Sequence, residues 1–191
     1  MLSYNKNATV GASARLGAVF TFNSTTINSR VGISFISIGQ ACQNVNSQIP
    51  VETALSTVVN NAKNVWNEEV LSKVSTTETN LANIQLLYNS MYSIHLLPSN
   101  RTGENPLWSS AEPYYDDTFT TWDLFRRTFS FLQIFQPKFH EEYIRSLLDI
   151  FRFDGYMPDA RSSNFNSATQ GGSNSDAVLA NAYADASVKG V

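Results

Sequence analysis

Between Thr121 and Gly155 the apolar residues hold the spacing of a helix through Trp122, Phe125, Phe129, Leu132 and Phe135. They break at Pro137 and resume through Phe139, Tyr143, Ile144, Leu147, Leu148 and Phe151. Proline has no N–H to give and suits the first turn of a helix, so this pattern predicts two helices joined by a tight turn, the second ending at Gly155. Helices joined so closely pack antiparallel, which makes a helical layer the frame of the chain.

Other stretches extend that frame. After Pro50, Leu55, Val58, Val59, Ala62, Val65, Trp66 and Val70 lie on one stripe. A second helix is expected to open with the capping box Ser75-Thr76-Thr77-Glu78 and to carry Leu81, Ile84, Tyr88, Met91, Tyr92 and His95 before Pro98 stops it. A fifth, Ala-rich helix starts at Ser173-Asn174-Ser175-Asp176 and ends at Gly190. Ahead of the helices the period drops to two: Val10, Ala12, Ala14, Leu16, Ala18, Phe20 and Phe22, then Val31, Ile33 and Phe35, with turn residues Asn23-Ser24-Thr25-Thr26 and Asn28-Ser29 between them. This predicts a β-hairpin over about residues 8–38. Two strands are not stable alone, so they either join a sheet made by other residues or pack on the helices.

Composition narrows the function. With 42% hydrophobic residues among 191, the chain has material for a real core and is not a disordered segment. Charged residues make up 15%, against about 25% in soluble domains, and the net charge is −3. No basic stripe is present for nucleic acid or an anionic membrane, and no run reaches the roughly 18 apolar residues of a membrane helix. The first seven residues lack the apolar stretch of a signal peptide, so no leader is expected within this chain. A single cysteine, Cys42, excludes an internal disulfide and is expected to be buried and inert. N-x-S/T sequons stand at Asn7, Asn23 and Asn100, in a chain rich enough in Asn, Ser and Thr for chance occurrence.

Two connections of about twenty residues, after Pro98 and after Gly155, fall at the same end of an antiparallel layer, and long loops in compact domains are usually functional. The first brings Trp108, Glu112, Tyr114, Tyr115, Asp116, Asp117, Trp122, Asp123, Arg126 and Arg127; the second brings Asp154, Tyr156, Asp159, Arg161, Asn164, Asn166, Asn174 and Asp176. Carboxylates and amides hydrogen-bond sugar hydroxyls, and aromatic rings stack on pyranose faces, so the set reads as a carbohydrate cleft. Each member has a plainer reading. Asp116-Asp117 fits a solvated turn, Glu141-Glu142 an exposed helix face, Asp123 a macrodipole partner, Trp122 a core residue, and Asn174 and Asp176 a helix cap. His95 reads as a satisfied interior residue and His140 as a surface one.

The segment Arg30-Val31-Gly32-Ile33-Ser34-Phe35-Ile36-Ser37, with Gln40-Ala41 and Asn44, resembles glycoside hydrolase family 92, the calcium-dependent α-mannosidases. Further matches keep the family's order: Trp66-Asn67, Tyr88 to Tyr92, Leu97 to Asn100, Tyr114 to Asp117, Trp122 to Arg126, Gly155 to Pro158, Asn174 to Tyr183 and Lys189-Gly190. The resemblance implies a mainly α chain with a short β segment. Residues 1–40 would end an N-terminal β-sandwich, 41–75 would form a connector helix, and 76–191 would supply the opening helices of an (α/α)6 barrel. It implies an α-1,2-mannosidase type of activity on glycan α-mannosides, with Trp122, Asp123, Arg126, Asp117, Asn174 and Asp176 binding substrate. The inverting acid and base, and most calcium ligands, are expected beyond Val191. The implied partners are a mannose-containing glycan and the remainder of the enzyme chain, with no nucleic acid and no membrane, in a full-length protein of the secretory pathway. The segment Asp159 to Asn166 is closer to fungal members, and Asp185-Ala186-Ser187-Val188 lengthens the usual spacing. A non-catalytic carbohydrate-binding or structural remnant, and an unrelated helical interaction module, are the alternatives.

Overall fold

The computed structural model describes residues 21–167 and 174–184. The chain divides into two compact units, Met1–Val31 and Gly32–Val191. The described residues of the first, 21–31, contain no helix or strand; Ser24 closes a local turn, its Oγ donating to the Thr26 carbonyl at 2.9 Å and accepting the Thr26 N–H at 3.2 Å. The expected hairpin is therefore not found in its described part, and residues 8–20 lie outside the described residues. Val31, Ile33 and Phe35 join no ladder. The polar groups of this stretch are committed elsewhere: Ser34 Oγ and the Phe35 N–H donate to Glu104 at 2.6 and 2.9 Å, and the Ile33 carbonyl accepts Asn44 Nδ2 at 3.0 Å.

The second unit is built on helices. α1 (Ile38–Gln48) is a helix that the sequence reading did not include, although Ile38, Ala41, Cys42 and Val45 hold a helical spacing; none of its residues is buried. Its signal was the cap: Ser37 Oγ accepts the Gln40 N–H at 3.1 Å. Gly32 lies so close to α1 that a Cβ there would collide with the Ala41 carbonyl oxygen, which explains the glycine on packing grounds. Cys42 on α1 is exposed, correcting the buried thiol expected from sequence; a helix that buries no residue has no interior to offer it.

α2 (Leu55–Glu69) follows as predicted, then a 3-10 turn (Leu71–Lys73) and α3 (Leu81–Ile94). The start of α3 is not the expected capping box. Asn80 caps it, taking the Ala82 N–H at 2.9 Å, while Glu78 Oε1 accepts the N–H groups of Thr79 and Asn80 at 2.8 Å each, one turn too early to be the third helical residue. α4 (Thr121–Leu124), a π-helical segment (Phe125–Phe129) and α5 (Ser130–Phe135) run on continuously as the third predicted helix. One residue, Gln136, separates α5 from α6 (Pro137–Asp154). Its amide donates to the Leu132 carbonyl at 2.7 Å, its carbonyl accepts the His140 N–H at 3.0 Å, and its side chain donates to the Glu69 carbonyl at 2.7 Å. α6 stops at Gly155, whose φ of 81° suits a residue without a side chain and lets its N–H reach the Phe151 carbonyl at 2.9 Å. α7 (Ser175–Ala184) begins where expected; Ser173 and the continuation to Gly190, with residues 185–188, lie outside the described residues.

The core is formed by Tyr115, Phe129, Leu132, Tyr143, Ile144, Leu147, Val178 and Ala182. Burying each large apolar member contributes about 1.5–3 kcal/mol. His140 belongs to this buried side, against the Phe129 ring at 6.5 Å, because it precedes Tyr143 and Ile144 by a helical turn; the surface placement read from sequence is corrected. Glu142 is likewise not a plain exposed face, since its Oε2 accepts the Tyr115 hydroxyl at 2.9 Å. His95 is satisfied as expected, with Nδ1 2.7 Å from the Met91 carbonyl. Two small antiparallel ladders shape the long connections. β1 (Ser99–Asn100) pairs with β2 (Tyr115–Asp116), Ser99 opposite Asp116. β3 (Ala160–Ser162) pairs with β4 (Phe165–Ser167) across the left-handed residues Ser163 and Asn164. No helix among the described residues is long and apolar enough to cross a membrane.

Candidate functional site

The two long connections meet on one guanidinium. Arg161, on β3, is 1% exposed; its Nη1 donates to Asp154 Oδ2 at 3.1 Å and to Asn166 Oδ1, and its Nη2 to the Tyr114 hydroxyl at 3.1 Å and the Asn164 carbonyl at 3.0 Å. Its Nε faces Asp116 Oδ1 at 3.5 Å, an ion pair outside hydrogen-bond geometry. Asp116 is fully buried and also accepts Arg101 Nη1 at 2.7 Å and the Asn164 N–H at 3.1 Å. A buried carboxylate needs such pairing, so the solvated-turn reading of Asp116 is corrected. Asp117 is bound by Arg101 Nη2 and lies 3.3 Å from Ser99 Oγ and 3.4 Å from Ser162 Oγ. Burial pushes the phenols of Tyr114 and Tyr115 above their ordinary value, and the Glu142 acceptor raises Tyr115 further. Both phenols therefore stay protonated at neutral pH and donate, Tyr114 to Asn164 Oδ1 at 3.0 Å and Tyr115 to Glu142.

A second anchor joins two helix starts. The Asp159 Oδ1 oxygen accepts Thr121 Oγ1 at 2.7 Å and the Asn174 N–H at 2.9 Å, and the Asp159 carbonyl accepts the Thr121 N–H at 2.7 Å. The first residue of α4 and the residue preceding α7 thus hang on one side chain. Thr120 caps α4 by accepting the Trp122 N–H at 3.2 Å, and Ser175 Oγ donates to the Pro158 carbonyl.

This arrangement brings Trp122, Asp123, Asn174 and Asp176, all expected from sequence to bind substrate, onto two neighbouring helix starts. Asp123 and Asp176 are exposed carboxylates in the first turns of α4 and α7, without a hydrogen bond among the described residues. Trp122 is half-buried with the Arg126 guanidinium 4.4 Å over its ring, so Arg126 props the indole. Asp117 stands apart from these four in chemistry, because its oxygens are taken by Arg101, Ser99 and Ser162. The π-helical segment begins at Phe125, two residues after Asp123, and such segments concentrate at functional sites.

Sequence reasoning gave Asp159 and Arg161 only as loop residues and missed Arg101 and Glu104. Their signal was present in kind, a charged residue beside Pro158 and another beside Asn100, but the distant partners lie 15 residues away for Arg101 and Asp116, 38 for Asp159 and Thr121, 47 for Arg161 and Tyr114, and 60 to 70 for Glu104. Among the described residues no group of three or more His, Cys, Asp or Glu side chains is placed to hold a metal ion. The Asp116-Asp117 pair does not fit a calcium site, since Arg101 takes one oxygen of each.

The family model for the glycosyl hydrolase family 92 catalytic domain matches residues 40–190. An uncharacterized secreted glycosidase of Arthroderma benhamiae is 32% identical over 162 residues, covering 83% of this chain. The chain spans 18% of the length of that relative.

Proposed function

The chain belongs to glycosyl hydrolase family 92, and from that premise we propose that it serves an α-mannosidase of the α-1,2 type acting on glycans. In this reading Trp122, Asp123, Arg126, Asn174 and Asp176 line a sugar subsite, and Asp117 supports the loop that leads into α4. The observation that carries it is the double anchoring at Asp159, which sets two exposed carboxylates and an indole on adjacent helix starts. Free carboxylates accept hydrogen bonds from sugar hydroxyls, and the indole supplies a wall for the apolar face of the ring. Hydrolysis then needs an acid to protonate the leaving oxygen and a base to take a proton from water, roughly 6.5–9.5 Å apart for inversion. We assign that pair, the closure of an (α/α)6 barrel and most of the calcium ligands to sequence beyond Val191, and secretion to the full-length protein.

The test is expression of the coding sequence with its flanking regions and assay on α-1,2-mannobiose. Hydrolysis with inversion, lost on calcium chelation, is expected. Asp123→Asn is expected to lower kcat/KM at least tenfold while changing stability by no more than about 1 kcal/mol, the scale of a first-turn charge. Unchanged kcat/KM in that variant would return Asp123 to the role of a macrodipole partner.

A further inference from the structure

We propose that a groove of about 410 Å³ between the two long connections, lined by Trp108, Phe153, Asp154, Tyr156, Asn164 and Phe165, is a binding site for a neutral pyranoside. The volume falls within the roughly 300–1,000 Å³ of small-molecule sites. Neither Trp122 nor Asp123 lines the groove, which shares only its ligand class with the proposed function.

Three rings crowd the groove yet stay in contact with solvent: Phe153 is 52%, Tyr156 55% and Phe165 65% exposed. Clustered exposed rings mark binding surfaces rather than random exposure. Trp108 is the fixed wall. Its indole N–H donates to Asp149 Oδ2 at 2.9 Å, Phe153 stacks on it at 5.0 Å and 14°, and Tyr114 meets it edge-on at 5.8 Å. A ring held so firmly loses little freedom when a ligand arrives.

The polar groups of the groove are also unspent. Asp154 Oδ2 accepts Arg161 Nη1 and Asn166 Nδ2, while its Oδ1 makes no hydrogen bond among the described residues. Asn164 uses its Oδ1, N–H and carbonyl for Tyr114, Asp116 and Arg161, which leaves its Nδ2 donor unused among the described residues. One free acceptor and one free donor beside aromatic faces complement a ring that carries hydroxyls on its edge and C–H groups on its face. Charge selects further: the Asp154 carboxylate is paired with the buried Arg161 guanidinium, so the groove favours neither a cation nor an anion.

The chain has three tryptophans, giving three indole N–H resonances assignable by Trp→Phe variants. Titration with methyl α-D-mannopyranoside is expected to shift the Trp108 resonance, whereas sorbitol, with similar hydroxyls and no ring face, leaves it in place. Tyr156→Ala and Phe165→Ala are each expected to weaken the binding at least tenfold with the circular dichroism spectrum unchanged; Asp123→Asn is expected to leave the Trp108 shift intact. An immobile Trp108 resonance in the wild-type chain, an equal response to sorbitol, or unaltered affinity in both folded ring variants would overturn the proposal and mark the groove as a packing face. A shift confined to Trp122 would also overturn it while leaving the proposed function standing.

Discussion

Glu104 shows how one side chain organises a segment that sequence patterning assigned to a strand. Its Oε2 accepts Ser34 Oγ and the Phe35 N–H, its Oε1 accepts Asn44 Nδ2 at 2.9 Å, and Arg101 lies 4.2 Å over the Phe35 ring. The Ser-Phe and Asn positions that carried the family resemblance thus share one carboxylate, a pairing across 60 to 70 residues that no local pattern discloses. Desolvation alone would raise the pKa of Glu104, but the donors from Ser34, Asn44, Phe35 and Ile36 together hold it below the ordinary value of 4.5. A depressed folded pKa means stability that is present above the unfolded value and lost as pH falls through the folded one. Thermal midpoints of the wild type should therefore decline on acidification below about pH 4.5 partly through this group. Glu104→Gln, which offers an amide N–H₂ to donors, should cost about 0.5–1.5 kcal/mol at pH 7, the net scale of a partly exposed hydrogen bond, and flatten that part of the acid decline. An unaltered pH profile would show the contact to be energetically idle.

The helices were legible where a sustained apolar stripe was present, and burial decides only which of those residues carry stability: α2 was expected from the stripe Leu55 to Val70 although none of its residues is buried. α6 carries Tyr143, Ile144 and Leu147 into the core at the predicted spacing, but Ile150 is buried where Phe151 was expected, Phe151 being 47% exposed; Pro137 and Gly155 mark the helix ends. α1 was missed because its apolar stripe is only Ile38, Ala41, Cys42 and Val45 and follows directly on the period-two run Val31, Ile33 and Phe35, and the start of α3 was misplaced because Glu78 binds the amides before the helix instead of within it. The same logic ranks substitutions. Leu147→Ala should destabilise the chain by about 2–5 kcal/mol, whereas Leu86→Ala, on a side chain 67% exposed, should stay within about 0.5 kcal/mol. Denaturant midpoints at constant slope would check both. The placement of the sugar-binding candidates was only half legible. That two long connections meet follows from antiparallel helices, but the anchors Asp159 and Arg161 act through partners that sequence proximity does not reveal. An exposed carboxylate and a tethered one, such as Asp123 and Asp117, look alike until those partners are placed.

At the scale of the molecule, the unit Gly32–Val191 leaves a good deal of apolar surface uncovered. Ile38, Leu55, Leu81 and Leu86 stand largely in solvent. Isolated exposed leucines are ordinary, but α1 and α2 fully bury none of their residues, even where Trp66 of α2 packs on the Tyr92 ring at 4.6 Å. The chain by itself should therefore self-associate at micromolar concentration, and Leu55→Lys with Leu86→Lys should reduce that association in sedimentation velocity. A monodisperse wild type would show these faces to be compatible with water. The anchor at Asp159 has a consequence in time as well as in space. Thr121 waits for a partner 38 residues further along, so at a synthesis rate of about 5–20 residues per second the start of α4 stays untied for roughly 2–8 s after it leaves the peptidyl-transferase centre. Until then the helix start has only local supports, the Thr120 cap and Arg126 against the indole, and the proposed subsite is completed only when the far loop has been translated.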